Sequence, residues 1–198
     1  MTRAAARTAA GGRDFDAAGW LRRARRVPSP NCDERPPGTP VDLLIVHGIS
    51  LPPGVFHGDA VERLFTNRLD AADHPSFASI AGLRVSAHFL VRRDGRLVQF
   101  VPCERRAWHA GASSWRGRER CNDFSIGVEL EGTDTRPYTA RQYARLARLI
   151  RAVRGHYPIG DVVAHSDVAP GRKTDPGPAF DWGRLRSLAG LPGGAGEA

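Results

Sequence analysis

Apolar residues along this chain recur in two rhythms. Val41-Asp42-Leu43-Leu44-Ile45-Val46 is a short, nearly continuous apolar run, the pattern of a strand covered on both faces, and it ends at His47-Gly48. From Arg84 to Val101 the period is two. Val85, Ala87, Phe89 and Val91 alternate with Ser86, His88 and Leu90, Asp94-Gly95 supplies a turn, and Leu97 to Val101 returns, which predicts a hairpin. Phe124 to Leu130 alternates again, with Ile126, Val128 and Leu130 on one face and Gly127 and Glu129 on the other. Asp161 to Ala164 is a last short strand, ending at His165. Helical spacing follows Thr139, which forms a capping box with Gln142 ahead of Tyr143, Leu146, Ala147, Ile150 and Val153. Shorter helices are predicted after Asp59, with Glu62 at the third position and Val61, Leu64 and Phe65 on one face, and after Asp181, bearing Trp182, Leu185 and Leu188.

Turn residues separate these elements. Pro28, Pro30, Pro36, Pro37 and Pro40 make an irregular entry, and Leu51-Pro52-Pro53-Gly54 forces a turn. A long loop after Val101 carries Trp108-His109-Ala110-Gly111, Trp115 and Arg120, and a Pro- and Gly-rich loop runs from His165 to Pro178. Residues 1–18 read as a flexible extension, 19–189 as a single domain and 190–198 as a disordered tail, with no internal repeat. Strands mixed with helices, one hairpin among them, predict an α/β fold: a mixed central β-sheet flanked by helices. The 198 residues suffice for a full hydrophobic core.

Composition narrows the classes. The chain is 41% hydrophobic and 25% charged, and no run reaches the 18 or so apolar residues of a membrane span. Met1 to Arg13 alternates Ala with Arg and lacks the apolar core of a secretory signal. A transit peptide would also be Arg-rich, but a short disordered extension explains the same composition. Cys32, Cys103 and Cys121 are odd in number and widely spaced, which argues against a disulfide framework and for a reducing cytoplasm. The net charge of +8 would suit nucleic acid or a small anionic substrate. Scattered arginines without aromatic-rich basic motifs favour the second. Of 29 basic residues, Lys173 is the only lysine.

His47 and His165 each close a short apolar strand and lead into a turn-rich loop, where ligand sites of α/β sheets gather. Asp175 follows His165 by ten residues. Two imidazoles and a carboxylate, with a fourth position for water, match a catalytic zinc site, although either histidine alone reads as readily as a structural residue. Glu129, beside the open face left by Gly127, is placed to act as a general base, or else is an ordinary solvated glutamate. Lys173 lies between His165 and Asp175 in a chain that otherwise uses arginine, and a compact ammonium there suits a developing oxyanion. Trp108 with His109 suits a sugar face, and Arg84 and Arg120 are candidate carboxylate clamps.

At these residues the sequence resembles the AmpD family of anhydro-N-acetylmuramyl-L-alanine amidases. The resemblance runs from about Gly19 to Leu188. It rests on Arg25-Arg26-Val27-Pro28-Ser29-Pro30-Asn31, on Ile49 to Gly54, on Leu83 to His88, on Arg106 to Gly111, on Gly117 to Asp134 and on Lys173 to Trp182. It implies a zinc amidase domain with a fold like that of peptidoglycan-recognition proteins. It also implies zinc held by His47, His165 and Asp175, catalytic roles for Glu129 and Lys173, and substrate contacts from Arg84, Trp108 and Arg120, to which the loop reading adds His109. The implied enzyme is a cytoplasmic monomer that cuts soluble anhydro-muropeptides between the lactyl group and L-alanine during peptidoglycan recycling, with neither nucleic acid nor membrane as partner. One departure stands in the motif: the family typically has Asn after the first ligand, and here it is Gly48. Two rivals are a muropeptide sensor without turnover and a lytic amidase acting on intact wall.

Overall fold

The structure, a computed structural model, describes residues 14–192. A six-stranded mixed sheet forms its centre, in the order β1 (Arg25–Arg26), β5 (Leu97–Gln99), β4 (Phe89–Val91), β9 (Ser125–Glu131), β3 (Leu43–Ile49), β10 (Asp161–Ala164). The four strands from β4 to β10 run parallel, and β5 turns back antiparallel to β4. Two small ribbons stand outside it: β2 (Cys32–Glu34) pairs antiparallel with β6 (Arg105–Ala107), and β7 (Ser114–Trp115) with β8 (Arg118–Glu119). The helices are α1 (Ala60–Phe65), α2 (Ala140–Arg154), α3 (His165–Val168) and α4 (Trp182–Ala189). This is the mixed α/β architecture that the hydrophobic pattern predicts.

Strand alternation sends successive side chains to opposite faces. Leu44, Val46, Ile126, Val128 and Leu130 pack with Tyr143, Leu146, Ile150 and Val153 of α2 and with Leu185 of α4 in one core. Leu43 and Ile45 point the other way, into a smaller cluster with Ala110, Cys121, Phe124, Val163 and Val168. A third cluster joins Val61, Leu64 and Phe65 of α1 to Leu90, Val98 and Phe100. The expected capping box holds α2: Thr139 Oγ1 accepts from the Gln142 N–H at 3.1 Å, and Gln142 Oε1 accepts from the Thr139 N–H at 3.0 Å.

Several boundaries differ from the sequence reading. The first hairpin strand spans Phe89–Val91 and does not begin at Val85: the Ser86 N–H turns aside to the Trp108 carbonyl, and only from His88, whose N–H donates to the Gly127 carbonyl of β9, does the chain join the sheet. His165 opens a one-turn helix, tied down by the Ala164 N–H donating to Asp167 at 2.8 Å. Of the apolar residues on α4, Leu185 is buried and Leu188 is exposed. Within the extension expected over residues 1–18, residues 1–13 lie outside the described residues, while Phe15 is buried in the main core and bridges to Leu21. Within the expected tail, Leu191 packs partly against that core, and residues 193–198 lie outside the described residues.

Two buried polar networks had no local sequence signature. Arg92 joins Glu62 of α1 (2.5 Å) to Glu131 of β9 (2.8 Å). Arg35 donates to the carbonyls of Cys103, Asn122, Asp123 and Ser125 at 2.9–3.2 Å, so one guanidinium satisfies four loop and strand-end carbonyls.

Candidate active site

Register builds the site. On the parallel pair β3–β9, His47 stands directly opposite Glu129. On β3–β10, Ala164 stands opposite Val46, which sets the next residue, His165, beside His47. The Asp175 loop then closes on them. The Ser166 N–H donates to the Asp175 carbonyl at 3.1 Å, and the Gly48 N–H reaches Asp175 Oδ2 at 3.4 Å.

Among the described residues, His47, His165 and Asp175 bring their ligand atoms within 4.8 Å of one another. His47 Nδ1 lies 2.9 Å from His165 Nδ1, His165 Nδ1 lies 3.0 Å from Asp175 Oδ2, and His47 Nδ1 lies 3.3 Å from the same oxygen. Ligand atoms in a tetrahedral shell with bonds of roughly 2.0–2.1 Å stand about 3.3 Å apart, so the triangle has the size a zinc ion needs. Its chemistry fits as well. His165 Nε2 faces the Ala110 carbonyl at 3.2 Å and must carry a hydrogen there, which makes Nδ1 the nitrogen free to bind a metal. Burial lowers the His47 pKa to about 4, with Asp175 opposing, so this ring is neutral at pH 7. Acceptors packed this closely call for a cation among them.

Tyr138 braces the loop. Its hydroxyl donates to the Pro176 carbonyl at 3.0 Å, beside Asp175, and its ring stacks edge-on to Phe180 at 5.2 Å. It passes between two glycines. A Cβ on Gly48 would lie 2.5 Å from the hydroxyl, and a Cβ on Gly132 would overlap the ring itself. Gly48 therefore makes room for this brace.

Glu129 is buried, and its Oε2 has no hydrogen-bond partner among the described residues. Burial raises its pKa well above the ordinary carboxylate range; Asp175 adds to the rise and Lys173 opposes it. Lys173 is exposed on the Asp175 loop, its N–H donating to the Ala169 carbonyl at 3.0 Å, and its charge is felt at both Glu129 and His47.

The remaining predicted residues are spread more widely. The half-buried Trp108 donates its indole N–H to Asp33 at 3.2 Å. Arg84 and Arg120 are both exposed; Arg84 reaches the Gly82 carbonyl at 3.4 Å, and Arg120 pairs with Asp123 at 3.1 Å. His109 lies with its ring against Gly127, its Nδ1 3.0 Å from His47 Nε2. The face beside Glu129 that Gly127 leaves open is filled by that ring. Sequence reasoning missed Tyr138 and Asn122. The Asn122 side-chain oxygen accepts from the N–H groups of His109 (3.2 Å) and Ala110 (2.8 Å). Asn122 lies within the family-like run from Gly117 to Asp134, which is a sequence signal; Tyr138 has none.

Comparison with known proteins places the chain in a family. The sequence model of the N-acetylmuramoyl-L-alanine amidase family matches residues 37–178. The 1,6-anhydro-N-acetylmuramyl-L-alanine amidase AmpD of Escherichia coli K12 is 60% identical over 172 residues, covering 86% of this chain and 94% of that protein. The crystal structure of an AmpD derivative superposes with a TM-score of 0.86 at 58% identity, covering 88% of this chain and 98% of that one. The amidase AmiD of E. coli, in complex with the substrate anhydro-N-acetylmuramic acid-L-Ala-D-γ-Glu-L-Lys, superposes with a TM-score of 0.57 at 30% identity, covering 90% of this chain and 66% of that one.

Proposed function

Because the chain belongs to the N-acetylmuramoyl-L-alanine amidase family, and within it to the AmpD group, we propose that it uses zinc to hydrolyse the amide between the lactyl group of 1,6-anhydro-N-acetylmuramic acid and the L-alanine of a soluble muropeptide. The observation that carries this reading is the convergence of His47, His165 and Asp175 beside the buried, unpartnered carboxylate of Glu129.

His47, His165 and Asp175 hold the metal. When bound, zinc supplies Lewis acidity to the amide carbonyl and lowers the pKa of water to roughly 7. Glu129 takes a proton from the attacking water as the new C–O bond forms, and returns it to the departing alanine nitrogen as the C–N bond breaks. A buried carboxylate with raised proton affinity is suited to both halves of that transfer. Lys173 sets its ammonium near the carbonyl oxygen on which negative charge gathers. The products are the lactyl carboxylate and a free peptide amine. Trp108 offers an aromatic platform to the sugar, and Arg84 and Arg120 offer exposed guanidinium groups to the stem carboxylates, consistent with the net charge of +8.

We place the reaction in the cytoplasm, as one step of peptidoglycan recycling, with a monomeric enzyme. The free Cys32, Cys103 and Cys121 suit a reducing compartment, and among the described residues no helix is long and apolar enough to cross a membrane. The deciding experiment incubates the purified protein with an anhydro-muropeptide, with and without a chelator, and reads products by mass spectrometry. Release of the peptide, abolished by chelation and restored by zinc, is expected. Peptide release that survives full removal of metal would overturn the zinc reading, and absence of release from zinc-loaded protein would overturn the amidase reading. Equal turnover on whole sacculi would favour the lytic alternative.

A further inference from the structure

Adjacent residues of one loop grip both histidines from behind. His165 Nε2 meets the Ala110 carbonyl at 3.2 Å, and His47 Nε2 meets His109 Nδ1 at 3.0 Å, with the two rings perpendicular. The loop is fixed in turn. Asn122 Oδ1 accepts from the N–H groups of both His109 and Ala110, and Arg172 donates to the Ala110 carbonyl at 2.5 Å. On the far side, His109 Nε2 lies 3.3 Å from Ser125 Oγ. The ring of His109 occupies the place a side chain at position 127 would take: a Cβ on Gly127 would lie 2.5 Å from its Nδ1.

The neighbours decide where the hydrogens stand. A neutral imidazole has one N–H and one bare nitrogen. For His47 to turn a bare Nδ1 toward His165 and Asp175, its Nε2 must carry the hydrogen and donate it to an acceptor. The nearest partner of that nitrogen is His109 Nδ1. His109 then carries its own hydrogen on Nε2, directed at Ser125 Oγ, which can accept. The chain His47 → His109 → Ser125 is self-consistent in only this direction once His47 presents a bare Nδ1.

We propose that His109 is a positioning residue, which fixes His47 in the form with hydrogen on Nε2 and so aims a bare Nδ1 at the metal position, and that Gly127 provides the space for it to do so. The inference rests on the zinc reading above. It moves His109 from the sugar-facing set to the supporting layer of the site. Outer partners of this kind fix ring orientation and tautomer, and their loss typically weakens metal binding about 10- to 100-fold.

The test uses full-length protein labelled with ¹⁵N-histidine. Long-range ¹⁵N–¹H spectra give the tautomer of His47 with zinc removed, and competition with a chelating dye gives the zinc Kd. In the metal-free wild type, His47 is expected to carry its hydrogen on Nε2. His109→Leu should give mixed tautomers and a Kd weaker by about 10- to 100-fold. His109→Asn, whose carbonyl oxygen can take the place of Nδ1, should recover most of the affinity. Unchanged Kd and tautomer in His109→Leu would overturn the proposal. So would hydrogen on Nδ1 of His47 in the metal-free wild type, a result that needs no variant to fold. Wild-type protein that releases peptide without binding zinc would instead overturn the metal reading, leaving the tautomer measurement to judge His109 on its own.

Discussion

Replacing Gly48 with alanine tests the brace around Tyr138, because the cost depends on one oxygen atom. The added Cβ would meet the Tyr138 hydroxyl at 2.5 Å; the next atoms, Pro176 Cα and Asp175 Cβ, stand at 3.4 and 3.8 Å. Tyr138 cannot retreat cheaply, since it is buried, donates to Pro176 and packs on Phe180. Overpacking of this kind costs about 1–3 kcal/mol. Tyr138→Phe alone removes the donor to a buried carbonyl, which also costs about 1–3 kcal/mol. Combined, the two changes should cost much less than their sum, because deleting the hydroxyl leaves the new methyl at ordinary contact distances. A favourable coupling of about 1–2 kcal/mol is expected, within the range seen for touching residues. Gly132→Ala is the control. Its Cβ would overlap Cε1 and Cζ of the ring, atoms that phenylalanine retains, so Tyr138→Phe should give it no relief. Urea denaturation of the four-member cycle for each glycine measures both couplings. Additive costs for Gly48→Ala and Tyr138→Phe, or equal relief at Gly132, would refute the reasoning.

Other outcomes follow from the site and the core. Glu129→Gln should keep its zinc and lose about 10²- to 10⁴-fold in kcat, since it keeps the shape and removes the base; near-normal turnover would assign the proton to another group. Lys173→Arg should lower kcat by about 10²-fold with zinc content unchanged, because the planar guanidinium misplaces the charge; a fully active arginine variant would make Lys173 a mere surface charge. His88 is buried, its Nδ1 accepting from the Gly127 N–H at 3.0 Å, and burial lowers its pKa from 6.5 to about 3, with Arg35 adding to the fall. Between those values the unfolded chain binds a proton that the folded one refuses, so its contribution is full above pH 6.5 and is lost as pH falls toward 3. From pH 7 to 5.5 the loss is on the order of 1 kcal/mol. Urea denaturation at the two pH values should give a His88→Gln variant a shallower pH slope than the wild type by that amount, and an unchanged slope would contradict it.

The strands that carry the site were readable because they are long, buried and regular. Leu43–Ile49 and Ser125–Glu131 both run seven residues and announce themselves by apolar run or alternation, and Thr139 with Gln142 marks α2 by capping chemistry. The pairs β2–β6 and β7–β8 were not readable. Strands of two or three residues have no period to detect; β2 and β6 meet from more than 70 residues apart, while β7 and β8 are the two short arms of a tight turn at Arg116-Gly117. His47, His165 and Asp175 were chosen by residue type and position and do come together in the structure, while His109, read as a sugar contact, lies against His47. Trp108 and His109 are adjacent in sequence and have unlike partners, Asp33 for one and His47 for the other, and only the path of the loop decides that. Tyr138 and Arg35 act through contacts 38 to 90 residues away, for which no local pattern exists.

The members of the site differ in how they are anchored, and this fixes an order of events. His47 and Glu129 sit inside central strands hydrogen-bonded on both sides, and His165 directly follows a third. Their amide hydrogens should exchange with solvent only when the whole sheet opens. Asp175 stands on a loop, partly exposed, held mainly by Tyr138 and by the N–H of Ser166. A fluctuation of that loop withdraws the carboxylate while both imidazoles stay in place. On the zinc reading, Asp175 would be the ligand able to let go without the sheet opening, so the exchange rate of an ion held here would follow the loop and not the stability of the fold.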